Sequence, residues 1–198
     1  MTRIIGGRAG GRRIETPKGD ATRPTSDRVR EALFSALQAH IGVFDRLGVL
    51  DLYAGSGAIG LEAASRGAAY VVAVEADRST AKVIERNATA LDSVVETVAQ
   101  PVGRFLAQPA WTRVDLVFLD PPYPLSEAEL AHDLALLVEH GWLADEAMVV
   151  VERGTRSPEP SWPTGITPLA GKRGMKKYGE TKLWYATAGE DEVPEPLR

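Results

Sequence analysis

Between residues 47 and 151 two kinds of apolar pattern alternate along the chain. Apolar runs at 47–52, 70–75, 114–119 and 147–151, with a weaker one at 94–99, read as strands of a buried parallel sheet. Segments with helical spacing lie between them. One leads from a glycine loop to Arg66 and stops at Gly67, one runs from about Asp77 to Leu91, and a short one covers 102–107. The last opens on a capping box of Ser126 and Glu129 and is striped by Leu130, Leu134, Leu137 and Val138. Strand and helix in alternation predict an α/β fold with a doubly wound, mostly parallel sheet.

The flanks carry other patterns. Residues 1–20 mix short apolar bits with glycine pairs, Gly6-Gly7 and Gly10-Gly11, which predicts a small β-hairpin with arginines pointing outward. A lone two-stranded hairpin is marginal in water, so it should lean on the main domain or order on a partner. Thr25 or Ser26 can cap a helix striped by Val29, Leu33, Phe34, Leu37 and Ile41. Arg28 and Arg30 are expected off that stripe, open to solvent or ligand. After Arg153, Pro158, Pro160, Pro163 and Pro168 exclude long regular elements. Two short extended runs, 166–169 and 181–187, should close the sheet as an antiparallel pair, with 172–179 as the loop between them. The expected units are a basic hairpin arm at 1–22, one domain at 23–188, and a disordered acidic tail at 189–198.

Composition narrows the class. Of 198 residues, 44% are apolar and 25% charged, which are globular values. No run approaches a membrane span and no secretion signal opens the chain. The absence of cysteine excludes disulfides, thiolate zinc sites and cysteine nucleophiles, and a cytoplasmic protein is expected. The net charge of −4 hides an asymmetry, because residues 1–30 carry an excess of five positive charges. Arg3, Arg8, Arg12, Arg13, Arg23 and Arg28 on this arm, with Lys176 and Lys177 later in the chain, are the candidate contacts to a polyanion. The run from Lys172 to Gly179 reads equally well as a grip on RNA phosphates or as a solvated hairpin loop. His40, His132 and His140 show no ligand spacing, so no metal site is expected. The four tryptophans show no period and read as packing.

Two loops carry the chemistry. Gly55, Gly57 and Gly60 fit G-x-G-x-x-G after the 47–52 strand, and Glu75 ends the next strand, where an acid can accept bonds from ribose hydroxyls. A dinucleotide such as NAD would suit that pattern too. Asp51 shifts the balance: a carboxylate at the mouth of the turn would repel a pyrophosphate but attract the ammonium of S-adenosylmethionine. Tyr53, Ala54 and Ala76 complete the candidate cofactor loop.

The second loop is Asp120-Pro121-Pro122-Tyr123. The exocyclic amine of a nucleobase is a poor nucleophile because its lone pair is delocalised. The Asp120 carboxylate and the Pro121 carbonyl can each accept one N–H and pull the nitrogen toward tetrahedral geometry. Pro121 and Pro122 restrict φ and hold these acceptors in place, and Tyr123 offers a face on which the base can stack.

At this point the sequence resembles the bacterial RsmD-type methyltransferases, which methylate the N2 amine of one guanine in 16S ribosomal RNA. The likeness rests on Arg3-Ile4-Ile5-Gly6-Gly7, the block from Arg23-Pro24-Thr25 to Phe34, the two loops, and Lys177-Tyr178-Gly179-Glu180-Thr181. It implies a seven-stranded class I sheet, S-adenosylmethionine as donor, and 16S RNA in a partly assembled small subunit as substrate. It further implies that Arg23 and Thr25 lie near the methionine end of the cofactor or the target base. Gln100 stands where such enzymes often carry an acid for the adenine amine, and its carbonyl can still accept that bond. Nothing requires more than a monomer. Adenine N6 in nucleic acid, a protein glutamine amide, an NAD-dependent oxidation, and a non-catalytic RNA-binding role are the competing readings.

Overall fold

The computed structural model describes residues 2–17 and 26–189. Lys18, Arg23, Thr25 and the tail beyond Gly189 therefore lie outside the described residues, and with them the expectations placed there. In chain order the elements are β1 (Thr2–Arg3), β2 (Arg13–Ile14), α1 (Asp27–Ile41), β3 (Gly48–Leu52), α2 (Ala58–Ser65) and β4 (Tyr70–Glu75). They continue with α3 (Arg78–Ala90), β5 (Val95–Ala99), α4 (Val102–Leu106), β6 (Val114–Leu119) and α5 (Glu127–Glu139). The last are β7 (Leu143–Gly154), β8 (Ile166–Pro168), a 3-10 turn at Gly171–Arg173, β9 (Met175–Tyr178) and β10 (Thr181–Ala188).

The main sheet runs β5-β4-β3-β6-β7-β10-β8, and β9 also pairs with β10. The five strands from β5 to β7 are mutually parallel, and β10 is antiparallel to β7. β8 and β9 lie end to end along β10, at Ala186–Ala188 and Thr181–Trp184, so two short strands share the seventh position of an eight-stranded sheet. This corrects the sequence reading of 172–179, which is a 3-10 turn followed by a strand. Alternation in Met175–Tyr178 is weak because both lysines hide it.

Helices cover both faces. One core joins Leu50, Leu52, Val117 and Leu119 to α4 and α5, and the other joins Val49, Leu116, Phe118 and Val150 to α1 and α2. Ser26 caps α1 through the Val29 N–H, Asp77 caps α3, and Ser126 with Glu129 forms the expected capping box. Val138 departs from the expected stripe and is exposed. β7 extends beyond the apolar run at both ends, because β6 pairs with it from Leu143 and β10 continues to pair with it as far as Gly154. Among the described residues no helix is long and apolar enough to cross a membrane.

Arg30 is a clear departure, since it is fully buried. It sits three, four and seven residues before Leu33, Phe34 and Leu37, which places it on the covered face of α1. Its Nη2 donates to the Arg3 carbonyl at 2.6 Å and to Asp27 at 2.7 Å. The hairpin is what covers it. Ile4, Ala9 and Ile14 pack on Leu61, Ala88 and Leu91. The buried Glu62 carboxylate accepts the Ile5 and Gly6 N–H groups at 2.7 and 2.8 Å, and Arg66 at 2.8 Å. The arm thus leans on α2 and α3, the first of the two possibilities its sequence left open.

Candidate active site

Chain order leaves β3 for β4 and β5 on one side, then returns to β6 on the other. The strand order therefore reverses between β3 and β6, and ligands of such sheets bind in the crevice beyond the carboxyl ends at that point. Both sequence-predicted loops leave the sheet there, the first from β3 and the second from β6.

The first loop is held from behind. Ala54 donates to the Val74 carbonyl at 3.0 Å, and Glu75 accepts the Gly55 N–H and the Asp77 N–H, each at 2.9 Å. Each carboxylate oxygen has a second lone pair, so Glu75 retains acceptor capacity for ribose hydroxyls. Gly57 has φ +77° and a Cβ there would stand 2.8 Å from Ile84, so glycine is required. A Cβ on Gly55 would meet nothing within 4 Å, which leaves open space at the crest of the loop. Tyr53 adopts φ +59°, a strained position for a non-glycine residue. Its hydroxyl donates to Asp133 of α5, which holds it there. Burial raises the Tyr53 hydroxyl well above its ordinary range, and Asp133 adds to the effect. Ala76 is exposed and Gln100 half-buried at the neighbouring strand ends.

Asp51 is buried in β3 and accepts the Gly60 N–H at 2.9 Å. Burial pushes its carboxyl up to about 7, Glu75 adds to the rise, and the Gly60 bond opposes it. A buried acid with one donor for two oxygens is suited to a cationic ligand, which fits the group expected there.

In the second loop Asp120 is half-buried, and its N–H reaches back to the Leu52 carbonyl at 3.4 Å. No hydrogen bond among the described residues reaches its carboxylate. Its pKa lies well above the ordinary range, through burial first, then through Glu152 and Asp51, with Arg153 pulling the other way. The Pro122 carbonyl is taken by the Leu125 N–H at 2.9 Å, whereas among the described residues no donor takes that of Pro121. Tyr123 is 78% exposed and lies along Gly154. The loop presents two acceptors and an aromatic face.

The candidate polyanion contacts divide. Arg8 and Arg12 donate to the Asp92 and Ala90 carbonyls at the C-terminus of α3, and Arg3 pairs with Asp27 at 3.2 Å. Lys176 lies 6.0 Å over the Tyr185 ring. Arg13, Arg28 and Lys177 are exposed. The sequence reading passed over Glu152, Asp133, Asn87 and Glu62, all buried. Glu152 had a legible signal, an acid directly after a buried strand, as Asp120 is. Asn87 had none, yet it bonds both Glu15 of the arm and the Ser56 carbonyl of the cofactor loop.

Comparison with known proteins places this geometry. The family model described as "Conserved hypothetical protein 95" matches residues 2–187. The ribosomal RNA small subunit methyltransferase D of Escherichia coli K12 is 41% identical over 81% of this chain and 79% of its own. That of Haemophilus influenzae is 38% identical over 79% and 80%. Among solved structures, one described as "Putative methyltransferase yhhF from Escherichia coli" superposes with a TM-score of 0.80 at 34% identity, covering 94% of this chain and 97% of its own. An RNA methyltransferase of Salinibacter ruber, solved with S-adenosyl-L-homocysteine, shares the fold at a TM-score of 0.60 and 21% identity, over 89% and 99%. With a matched span from the hairpin arm through both loops to the last strand, the chain belongs to the RsmD-type methyltransferase family.

Proposed function

We propose that the protein transfers a methyl group from S-adenosylmethionine to the exocyclic N2 amine of a guanine in 16S ribosomal RNA. The observation that carries this reading is the pairing, at one switch point, of a phosphate-free cation site at Asp51 with two unused acceptors at Asp120 and Pro121. Family membership supports methylation of small-subunit RNA, and the amine follows from the second loop. The donor supplies an electrophilic methyl on a sulfonium. Asp51 faces its ammonium, Glu75 the ribose hydroxyls, Gln100 the adenine, and Tyr53, Ala54, Gly55, Gly57 and Ala76 line its path, with Thr25 at the methionine end.

Asp120 and the Pro121 carbonyl each accept one N–H of the amine, which localises the nitrogen lone pair and aims it at the methyl carbon. The Pro122 ring restricts the turn, and Tyr123 stacks on the base, worth about 1–3 kcal/mol. The N–C bond forms as the C–S bond breaks, its electron pair leaves on sulfur, and the surplus proton passes from nitrogen to Asp120. Arg13, Arg28 and Lys177, together with Arg3, Arg8, Arg12, Arg23 and Lys176, meet phosphates. The substrate is a partly assembled subunit, the enzyme acts as a monomer, and its place is the cytoplasm.

Incubation of undermethylated small subunits with labelled S-adenosylmethionine, followed by mapping of the modified base, tests the assignment. A label on N2 of one guanine is expected, and a label on adenine or on protein would overturn it. Asp120→Ala should bind the cofactor normally in calorimetry and lose roughly 10²–10⁴-fold in transfer.

A further inference from the structure

The reaction just described treats the arm and the cofactor loop separately, yet one buried side chain holds both. Asn87 of α3 is 3% exposed. Its Oδ1 accepts the Glu15 N–H at 2.8 Å, and its Nδ2 donates to the Glu15 carbonyl at 3.0 Å and to the Ser56 carbonyl at 3.2 Å. Two amide hydrogens meet two carbonyls and the amide oxygen meets an N–H, so only one orientation of the group fits. Ile84 lies one turn earlier on the same face of α3, 2.8 Å from where a Cβ on Gly57 would stand. Ser56 stands between Gly55 at φ +55° and Gly57 at φ +77°, residues that restrict the backbone little, so its peptide needs a fastening from outside the loop. The arm needs one as well. Its strands are two residues each, too short to be stable alone. It is seated on α1 through Arg30, on α2 through Glu62 and Ser65, and on α3 through Asn87. α2 and α3 are the helices that follow the cofactor loop and Glu75.

We propose that Asn87 is a positioning residue through which the arm and the cofactor loop fix each other: S-adenosylmethionine on the loop favours the docked arm, and the docked arm favours the cofactor. With Nδ2 on the Ser56 carbonyl the loop is held before the cofactor arrives, so less binding energy goes into ordering it. The same amide bonds the Glu15 peptide at both its N–H and its carbonyl, so a shift of Ser56 is felt where the chain leaves the hairpin. Linkage is reciprocal: whatever factor the docked arm adds to cofactor affinity, the cofactor adds to arm docking. Arg3 and Arg13 ride on that hairpin, so the loaded protein presents them in a set position for RNA. The Glu15–Arg86 ion pair beside Asn87, at 2.9 Å, is exposed on both sides and adds little to the fastening.

The proposal rests on the reading of residues 54–57 as the cofactor loop, and its test separates the two. Wild-type protein should bind S-adenosylhomocysteine in calorimetry; no binding would overturn the cofactor reading and the coupling with it. Asn87→Asp keeps the shape and the acceptor for the Glu15 N–H but sets oxygen against both carbonyls. It should bind S-adenosylhomocysteine at least about tenfold more weakly. Its KM for S-adenosylmethionine should rise as far with kcat held within about threefold, because the Asp120 loop is not touched. Arg86→Ala removes only the exposed ion pair and should stay within about twofold of wild type. A merely structural Asn87 would lower the urea midpoint and leave the affinity of the folded protein alone. That outcome overturns the proposal while wild-type binding stands. Hydrogen exchange of the wild-type protein decides the matter whether or not the variants fold. Saturating S-adenosylhomocysteine should slow the Glu15 amide at least about fivefold more than the Leu169 amide, which bonds the Tyr185 carbonyl at the β8 edge of the sheet, away from α3. Equal slowing at the two amides overturns the proposal equally.

Discussion

At the carboxyl edge of the sheet the two faces treat polar groups in opposite ways. On the α5 side they pair with one another: the Tyr53 hydroxyl donates to Asp133, and Arg153 to Glu127. On the α1 side three acids, Asp51, Asp120 and Glu152, crowd adjacent strands, and burial drives Asp51 and Asp120 above their ordinary range. Like charges under low dielectric are a cost that an isolated fold has no reason to carry. A cationic donor and an amine that sheds a proton give such a reason. Paired polar groups on one face build the edge; on the other, Asp51 and Asp120 keep acceptor capacity for a ligand.

The largest effect that could break this contrast is at Asp120. Replacement by Asn removes a charge that the apo protein holds at a cost, so Asp120→Asn should unfold at higher urea, by about 1–3 kcal/mol at neutral pH. The same variant should lose about 10²-fold or more in methyl transfer, since an amide cannot take the proton. A variant that is both less stable and fully active would remove the distinction between the faces.

Much of this edge could be read before the fold was known, and for a physical reason. Strands buried on both faces write themselves as unbroken apolar runs, and an acid or glycine that ends such a run is out of keeping with its surroundings. Asp51, Gly55, Glu75 and Asp120 all announce themselves in that way. Glu152 follows the same rule, but the apolar run ends at Val151 and the acid lies one residue beyond it. Arg30 was misplaced because a cation at a helix position three and four residues before Leu33 and Phe34 counts as polar, whatever face it occupies. Its burial comes from the hairpin, a contact between residues 3 and 30 that no local pattern records. The arm's docking through Glu62, Ser65 and Asn87 is equally non-local, with partners more than fifty residues away.

A second effect turns on pH. Asp51 has a folded pKa of about 7 against 3.8 for the free side chain, so the native state binds more protons than the unfolded state between those values. Stability contributed by the protonated acid is therefore complete below about pH 4 and is lost as pH rises toward 7, on the order of 4 kcal/mol in all. Urea unfolding of the apo protein should show this fall, and Asp51→Asn should flatten it. Cofactor binding should run the other way, because only the carboxylate attracts an ammonium. Calorimetry from about pH 5.5 to 7.5 should find S-adenosylmethionine binding tighter with rising pH in the wild type and level in Asp51→Asn. A wild-type affinity independent of pH would mean that Asp51 serves the turn through Gly60 and nothing else.

The smallest effect lies on the matched face. Asp133→Ala leaves the half-buried Tyr53 hydroxyl without its acceptor, which should cost about 1–3 kcal/mol of stability, measured in urea. Asp133 itself is turned away from the carboxylate cluster, into the α5 side, so the step that moves the methyl group is not expected to change. What should move is KM for S-adenosylmethionine, by a few-fold, because Tyr53 holds φ +59° at the entrance of the cofactor loop and depends on that bond to stay there. The contrast then becomes quantitative: a residue of the matched face alters stability and KM with kcat intact, whereas one of the clustered face alters kcat and gains stability. If Asp133→Ala instead lowered kcat as far as Asp120→Asn does, the division of the edge into a built face and a reacting face would fail. The strain at Tyr53 would then have to be counted as part of the chemistry.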